Sequence, residues 1–154
     1  MGASFAVRLP RIVRQGLVPG MPHAERPRDD LEGVLVLVID DHDDSRELVA
    51  SVLEARGARA RVAASADGGL ALARAERFDV VLCDIAMPER DGFSFLRALR
   101  AQPEIASTPV IALTAFASAD DRARISAGGF DGHVPKPVDV ETLSSVVSTS
   151  RRRR

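Results

Sequence analysis

The hexapeptide Val80-Val81-Leu82-Cys83-Asp84-Ile85 constrains the fold of this chain more than any other stretch. It is apolar at every position except Asp84, whereas a strand with one face in water would alternate polar and apolar residues. Continuous apolar strands are typical of the buried centre of a parallel sheet. An ionised carboxylate is costly to bury, so we expect the strand to end at Asp84. Pro88 and Gly92 then predict a loop.

Strand-like and helix-like segments alternate along the rest of the chain. The predicted strands cover 34–39, 59–63, 80–84, 109–113 and 130–135, and each precedes a segment with helical spacing of apolar residues. The polar and apolar alternation of 59–63 places that strand near an edge. Asp43 or Asp44 is predicted to cap the first helix, and Gly57 to end it. This order predicts an α/β fold, a three-layer doubly wound (βα)5 parallel sheet.

Length and composition limit the classes of protein that this chain can belong to. Its 154 residues suit one domain, and no apolar run reaches the length of a membrane span. The single cysteine, Cys83, excludes an internal disulfide and is expected to be a buried apolar residue. The net charge is −1 although Arg151–Arg154 are all basic, so the body is acidic and does not suggest nucleic-acid binding.

Proline and glycine spacing divides the chain into three parts. Four prolines lie between residues 10 and 27, where they interrupt any long helix. We therefore expect a flexible N-terminal tail over 1–32, one domain over 33–150 and a basic C-terminal tail over 151–154. Only four residues follow the last helix, so we expect no output domain.

Polar residues follow four of the predicted strands: Asp40 and Asp41, Asp84, Thr114, and Lys136. The carboxyl ends of parallel strands meet at one edge of a sheet, so these side chains can converge. Carboxylates about 4 Å apart repel by roughly 4 kcal/mol per pair at an effective dielectric constant of about 20. A hard divalent cation such as Mg²⁺ would relieve that repulsion.

Lys136 supplies a second positive charge and is the only lysine in the chain. A compact ammonium can reach a carboxylate or a phosphoryl oxygen where a planar guanidinium would not fit. Lys136 lies between Pro135 and Pro137. We predict a cis Lys136–Pro137 peptide bond, because a tight turn must aim the lysine back toward the acids.

At these residues the sequence resembles the receiver domain of two-component response regulators of the chemotaxis-regulator type. The resemblance spans about 33–150 and rests on five elements in order: Asp40-Asp41, Asp84 with Met87-Pro88, Asp91-Gly92, Leu113-Thr114-Ala115, and Lys136-Pro137. The resemblance is compatible with a stand-alone receiver and with a receiver domain from a hybrid or phosphorelay system. The resemblance implies a flavodoxin-like sheet with the strand order 2-1-3-4-5.

The resemblance also implies a role for each strand-end residue. Asp84 would accept a phosphoryl group from a phosphohistidine of a histidine kinase or a histidine phosphotransfer protein. Asp40, Asp41, Asp84 and the backbone carbonyl of Ala86 would hold Mg²⁺, while Thr114 and Lys136 would contact the phosphoryl oxygens. The resemblance implies a bacterial domain that works in the cytoplasm. Such a domain is regulatory, catalyses only its own Mg²⁺-dependent phosphorylation and dephosphorylation, and signals to an effector protein.

Three positions depart from the family pattern or tune it. His133 occupies the position of an aromatic switch residue, and it is either a switch or an exposed loop residue. Ala86 and Phe116 occupy the two positions that, by the resemblance, would flank the approach of water to the phosphoryl group. Either they shield it and prolong the phosphorylated state, or Ala86 leaves a gap and Phe116 faces solvent or a partner. His42 is expected to be a solvated loop residue.

Three other functions compete with this interpretation. A receiver that binds partners without phosphorylation is the main alternative, although such proteins have often lost an acid or the lysine, and all are present here. Metal-dependent phosphatases with an aspartyl intermediate resemble Asp-x-Asp after the first strand, whereas this chain has adjacent Asp40-Asp41. A Rossmann nucleotide site requires Gly-x-Gly-x-x-Gly after the first strand, and the sequence has none there.

Overall fold

The computed structural model describes residues 31–115 and 118–151, in which five strands alternate with five helices. The strands are β1 (Leu35–Ile39), β2 (Arg59–Ala63), β3 (Val80–Asp84), β4 (Val110–Thr114) and β5 (Gly132–Pro135). The helices are α1 (Asp43–Ala55), α2 (Ala66–Ala75), α3 (Gly92–Arg100), α4 (Ala119–Ala127) and α5 (Val140–Ser150). All strand pairs are parallel, and the order across the sheet is β2-β1-β3-β4-β5. The predicted fold class and the edge position of 59–63 are confirmed.

Each face of the sheet carries its own apolar core. Along β1, Leu37 packs with residues of α2, α3 and α4, whereas Val36 and Val38 pack with residues of α1 and α5. Successive side chains of a strand point to opposite faces, so a strand in the middle of three layers must be apolar throughout. This is why β1, β3 and β4 are buried at every position.

The first helix begins differently from the prediction. His42 is the N-cap residue of α1 and makes no capping hydrogen bond with its side chain, while Asp43 and Asp44 lie in the first helical turn. The prediction that one of these aspartates caps the helix was therefore wrong by one or two positions. Acidic residues in a first turn still stabilise a helix, because they face the positive end of its dipole.

Two residues before the predicted domain boundary at residue 33 already contact the domain. Leu31 is fully buried, and its backbone N–H donates to the carbonyl of Arg56. Leu31 packs in the core on the α1 and α5 side. Gly57, whose φ is +96°, lies close to the backbone of Glu32. Leu31 and Glu32 therefore belong to the domain and not to the tail; residues 1–30 of the expected tail lie outside the described residues.

In the described part of the chain, no helix is both long enough and apolar enough to cross a membrane.

Candidate functional site

The topology brings the predicted strand-end residues to one edge of the sheet. β3 lies at the centre, between β1 and β4, and Asp84 is its last residue. Asp40 directly follows β1, Thr114 ends β4, and Lys136 follows β5. The backbone N–H of Lys136 donates to the carbonyl oxygen of Thr114 over 2.8 Å, which ties the lysine to the end of β4.

Asp40 is the most tightly held of the acids. Its carboxylate is fully buried and accepts three hydrogen bonds, from the backbone of His42 to Oδ1 (2.9 Å), from Ser45 Oγ to Oδ2 (2.7 Å) and from Lys136 Nζ to Oδ2 (2.9 Å). Burial acts to raise the pKa of Asp40, but these hydrogen bonds and the lysine charge outweigh it and lower the pKa. Asp40 is therefore held as a carboxylate.

Asp84 has fewer partners than Asp40. Its side chain is buried, Oδ1 accepts from the backbone N–H of Ala86 over 3.3 Å, and Oδ2 lies 3.5 Å from Lys136 Nζ. Burial raises the pKa of Asp84, and the lysine opposes that rise while repulsion from Asp40 adds to it. A carboxylate with few hydrogen bonds keeps its oxygens available for chemistry.

Asp41 and His42 complete the acidic cluster. Asp41 Oδ1 is buried and accepts no hydrogen bond of good geometry from any described residue. His42 Nδ1 nevertheless lies 3.2 Å from that oxygen and 3.5 Å from Asp40 Oδ1. His42 is 69% exposed, as expected of a solvated residue, but one ring nitrogen lies against the acids, which the sequence analysis missed. The position of His42 directly after Asp41 in the sequence could have indicated that its ring lies close to the acids.

The donor atoms of this cluster suit a divalent cation. One ligand atom from each of Asp40, Asp41, His42 and Asp84 lies within 4.8 Å of all the others. A buried carboxylate oxygen without a hydrogen bond, such as Asp41 Oδ1, is costly unless a cation satisfies it. The residues present therefore fit the metal that the sequence predicted.

The turn that carries Lys136 has the conformation that was predicted from the sequence. The Lys136–Pro137 peptide bond is cis, which confirms the prediction. Thr114 is buried, and the structure places it at the end of β4 beside the β3 end that carries Asp84.

The remaining predicted residues are placed as follows. His133 lies in β5, half-buried and in register with Ala112 of β4. The side chain of Ala86 is exposed beside Asp84. Phe116 lies outside the described residues, so its role as an access residue stays a prediction.

Three residues support the site; Ser45 and Arg46 carry no clear signal in the sequence, whereas Gly92 belongs to the Asp91-Gly92 element noted above. Ser45 holds Asp40, as described above. Arg46 donates to the backbone carbonyl of Asp40 over 2.9 Å and also to Asp43. Gly92 has no room for a side chain, since a Cβ there would lie 2.8 Å from the carbonyl oxygen of Asp84 and 3.0 Å from Ile85 Cα. Ser45 thus holds the carboxylate of Asp40 and Arg46 holds its backbone, while Gly92 lets α3 begin close to the backbone of Asp84.

Comparison with known proteins decides the family. Residues 36–148 match the family described as the response regulator receiver domain. The chain belongs to this family. The polar-differentiation response regulator DivK of Brucella anthropi is 34% identical over 114 residues, which cover 71% of this chain and 93% of DivK.

Solved receiver structures have the same fold as this receiver domain. The chemotaxis protein CheY4 of Vibrio cholerae aligns with a TM-score of 0.72 and 33% identity, covering 76% of this chain and 98% of that one. The receiver domain of the sensor histidine kinase PA1611 from Pseudomonas aeruginosa, whose structure has a magnesium ion coordinated in the active site cleft, aligns with a TM-score of 0.71 and 28% identity over 77% of this chain and 97% of that one.

Some relatives are much longer than this receiver domain. The sensor histidine kinase RcsC of Salmonella typhimurium is 28% identical over 140 residues, and the match spans only 14% of its length. Receiver domains therefore occur both as small proteins and as parts of large kinases among the relatives.

Proposed function

We propose that this receiver domain accepts a phosphoryl group on Asp84 from a phosphohistidine and thereby changes its contacts with other proteins. The observation that carries the proposal is the position of Asp84, which stands at the end of the central strand between the Lys136 ammonium, 3.5 Å away, and the Asp40–Asp41 acids. The donor would be a histidine kinase or a histidine phosphotransfer protein, and the receiver of the signal an effector protein.

The reaction is the transfer of a phosphoryl group between two side chains. An oxygen of the Asp84 carboxylate attacks phosphorus, the phosphorus–nitrogen bond of the phosphohistidine breaks, and the electron pair leaves with the imidazole, which then takes a proton. The product is an acyl phosphate. The chain supplies little covalent chemistry beyond the nucleophile, so catalysis rests on positioning and on charge neutralisation.

The charges around Asp84 fit that task. Lys136 would pair with one phosphoryl oxygen, and the hydroxyl of Thr114 would donate to another. A bound Mg²⁺, held by Asp40, Asp41, Asp84 and the backbone carbonyl of Ala86, would neutralise the phosphoryl charge. Support comes from the acidic cluster itself and from the magnesium ion in the PA1611 receiver structure.

The output depends on a shift of residues around the phosphorylated site. Thr114 and His133 are the proposed switch residues, because they lie on the adjacent strands β4 and β5. The domain covers residues 31–150 in this proposal and works in the cytoplasm as a regulatory module.

The proposal is tested with acetyl phosphate, a small phosphodonor, in the presence of Mg²⁺. Intact-mass measurement should find one acid-labile phosphoryl group on the wild-type chain and none on Asp84→Asn. The matched control is Asp67→Asn, which replaces an aspartate whose side chain is 73% exposed and should leave the phosphorylation unchanged. Phosphate on Asp84→Asn contradicts the site. No phosphate on the wild-type chain favours the alternative, an interaction module that works without phosphorylation.

A further inference from the structure

The ring of His42 lies at the acidic cluster without a role in the helix that it begins. His42 occupies the N-cap position of α1 and makes no side-chain capping bond. Its backbone N–H donates to Asp40 Oδ1 over 2.9 Å, which ties the residue to the site. Helix capping therefore does not account for the position of the ring beside the carboxylates.

The distances from the ring are those of neighbouring ligands around one metal ion. Adjacent ligands of an octahedral site with bonds of about 2.1 Å are separated by roughly 3 Å. His42 Nδ1 is 3.2 Å from Asp41 Oδ1 and 3.5 Å from Asp40 Oδ1. The oxygen at 3.2 Å is the buried atom of Asp41 that accepts no hydrogen bond of good geometry from the described residues.

We propose that His42 supplies a nitrogen ligand to the divalent cation held by Asp40, Asp41 and Asp84, so that the site favours transition metals over Mg²⁺ more than three carboxylates alone would. The inference rests on the proposed function, because it concerns the metal of the same site. Mg²⁺ prefers oxygen ligands. Imidazole instead suits Ni²⁺, Cu²⁺ and Zn²⁺, and Ni²⁺ is also high in the general order of affinities.

The competing explanation is that Nδ1 carries a proton and donates a hydrogen bond to the carboxylates. In that arrangement His42 would be displaced by a metal and would not bind it. The two explanations make different predictions for metals that differ in their preference for nitrogen. A ligand raises the affinity for Ni²⁺ much more than for Mg²⁺, whereas a displaced donor affects all dications by a similar factor.

The first test compares metals by calorimetric titration at one fixed pH, on a chain without a histidine tag and without phosphodonor. His42→Phe should weaken Ni²⁺ binding by at least about tenfold and Mg²⁺ binding by less than about twofold, because the phenyl ring keeps the shape and removes the nitrogen. The matched control, His23→Asn, should leave both affinities unchanged. Equal changes for the two metals in His42→Phe would overturn the inference.

The second test observes the bond directly. Pulsed electron paramagnetic resonance of the Cu²⁺ or Mn²⁺ complex should record coupling to an imidazole ¹⁴N in the wild-type chain and in His23→Asn. The coupling should disappear in His42→Phe; its persistence there contradicts the assignment.

Asp41→Asn separates this inference from the proposed function. If that variant abolishes the binding of all metals while His42→Phe changes Ni²⁺ and Mg²⁺ equally, the metal site stands and the role of His42 is wrong. If Asp41→Asn changes the affinity for no metal, both the metal site of the proposed function and the role of His42 are wrong.

Discussion

Lys136 lies closer to Asp40 than to the proposed phosphoryl acceptor Asp84. Its Nζ is 2.9 Å from Asp40 Oδ2 and 3.5 Å from Asp84 Oδ2. The side chain is 20% exposed, so the ammonium is well desolvated on the side that faces the acids. In this arrangement the lysine neutralises part of the negative charge of the acidic cluster, and the proposed function requires it to turn toward Asp84 when a phosphoryl group is transferred.

Replacing Lys136 should therefore separate metal binding from phosphorylation. We expect Lys136→Met to bind Mg²⁺ several-fold more tightly, because the variant removes a positive charge next to the metal ligands. The same variant should be phosphorylated by acetyl phosphate roughly 10²-fold more slowly, since a charge that stabilises the transferring phosphoryl group is lost. Calorimetry and intact-mass kinetics measure the two effects, and Arg124→Met, whose side chain is 72% exposed, is the control. Weaker Mg²⁺ binding in Lys136→Met contradicts the prediction.

Asp84 and Asp40 should affect stability in opposite directions without a divalent cation. Burial raises the pKa of Asp84, so folding favours its protonated form, and the free energy of unfolding falls as the pH rises from the ordinary pKa through the raised one. Asp84→Asn should therefore be more stable than the wild-type chain at pH 7. That gain should vanish at a pH below the ordinary aspartate pKa. Urea denaturation at several pH values measures it; a less stable Asp84→Asn at pH 7 would refute the prediction.

Asp40→Asn should be less stable than the wild-type chain at pH 7. Despite the effect of burial, hydrogen bonds from Ser45, His42 and Lys136 lower the pKa of Asp40. The Asp40 carboxylate therefore stabilises the folded state fully at a pH above the pKa that this aspartate has in the unfolded chain. That contribution is lost as the pH falls through the lowered pKa of the folded state. The same denaturation series tests this, and the difference from the wild-type chain should shrink in acid.

Ser45 should stabilise the site through Asp40. Its Oγ donates to Asp40 Oδ2 over 2.7 Å, and a hydrogen bond to a charged group contributes about 1.5–3 kcal/mol. We expect Ser45→Ala to lower the free energy of unfolding by an amount in that range and to weaken Mg²⁺ binding. Ser51→Ala, at an exposed position of the same helix, controls for helix propensity and should be neutral or slightly stabilising. Equal effects of the two substitutions would argue against the role of Ser45.

The lifetime of the phosphorylated protein should depend on residues 86 and 116. The side chain of Ala86 is exposed next to Asp84 and has no polar group that could orient water. We expect Ala86→Asn and Phe116→Glu each to speed the loss of phosphate by roughly tenfold, because a positioned polar group assists the attack of water. The decay of the phosphorylated protein after removal of the phosphodonor measures this. Unchanged decay in both variants would mean that neither position shields the phosphoryl group.

The order of the elements and the identity of the strand-end residues could be predicted from the sequence. Continuous apolar runs such as 80–83 identify strands that are buried on both faces, and polar residues mark their ends. Because parallel strands present all their carboxyl ends at one edge, Asp40, Asp84 and Thr114 had to lie near one another once the fold class was known. The cis bond before Pro137 followed from the same requirement on Lys136.

Tertiary structure alone decided how those residues share their partners. Sequence periodicity places a residue on an element but gives no distance between side chains of different elements. The nearness of Lys136 to Asp40, the hydrogen bond from Ser45 and the approach of His42 Nδ1 to two carboxylates all depend on the register between strands and on the start of α1. Leu31 likewise packs in the core with residues of α1 and α5 and donates its backbone N–H to Arg56, contacts with distant residues that a local proline pattern cannot report.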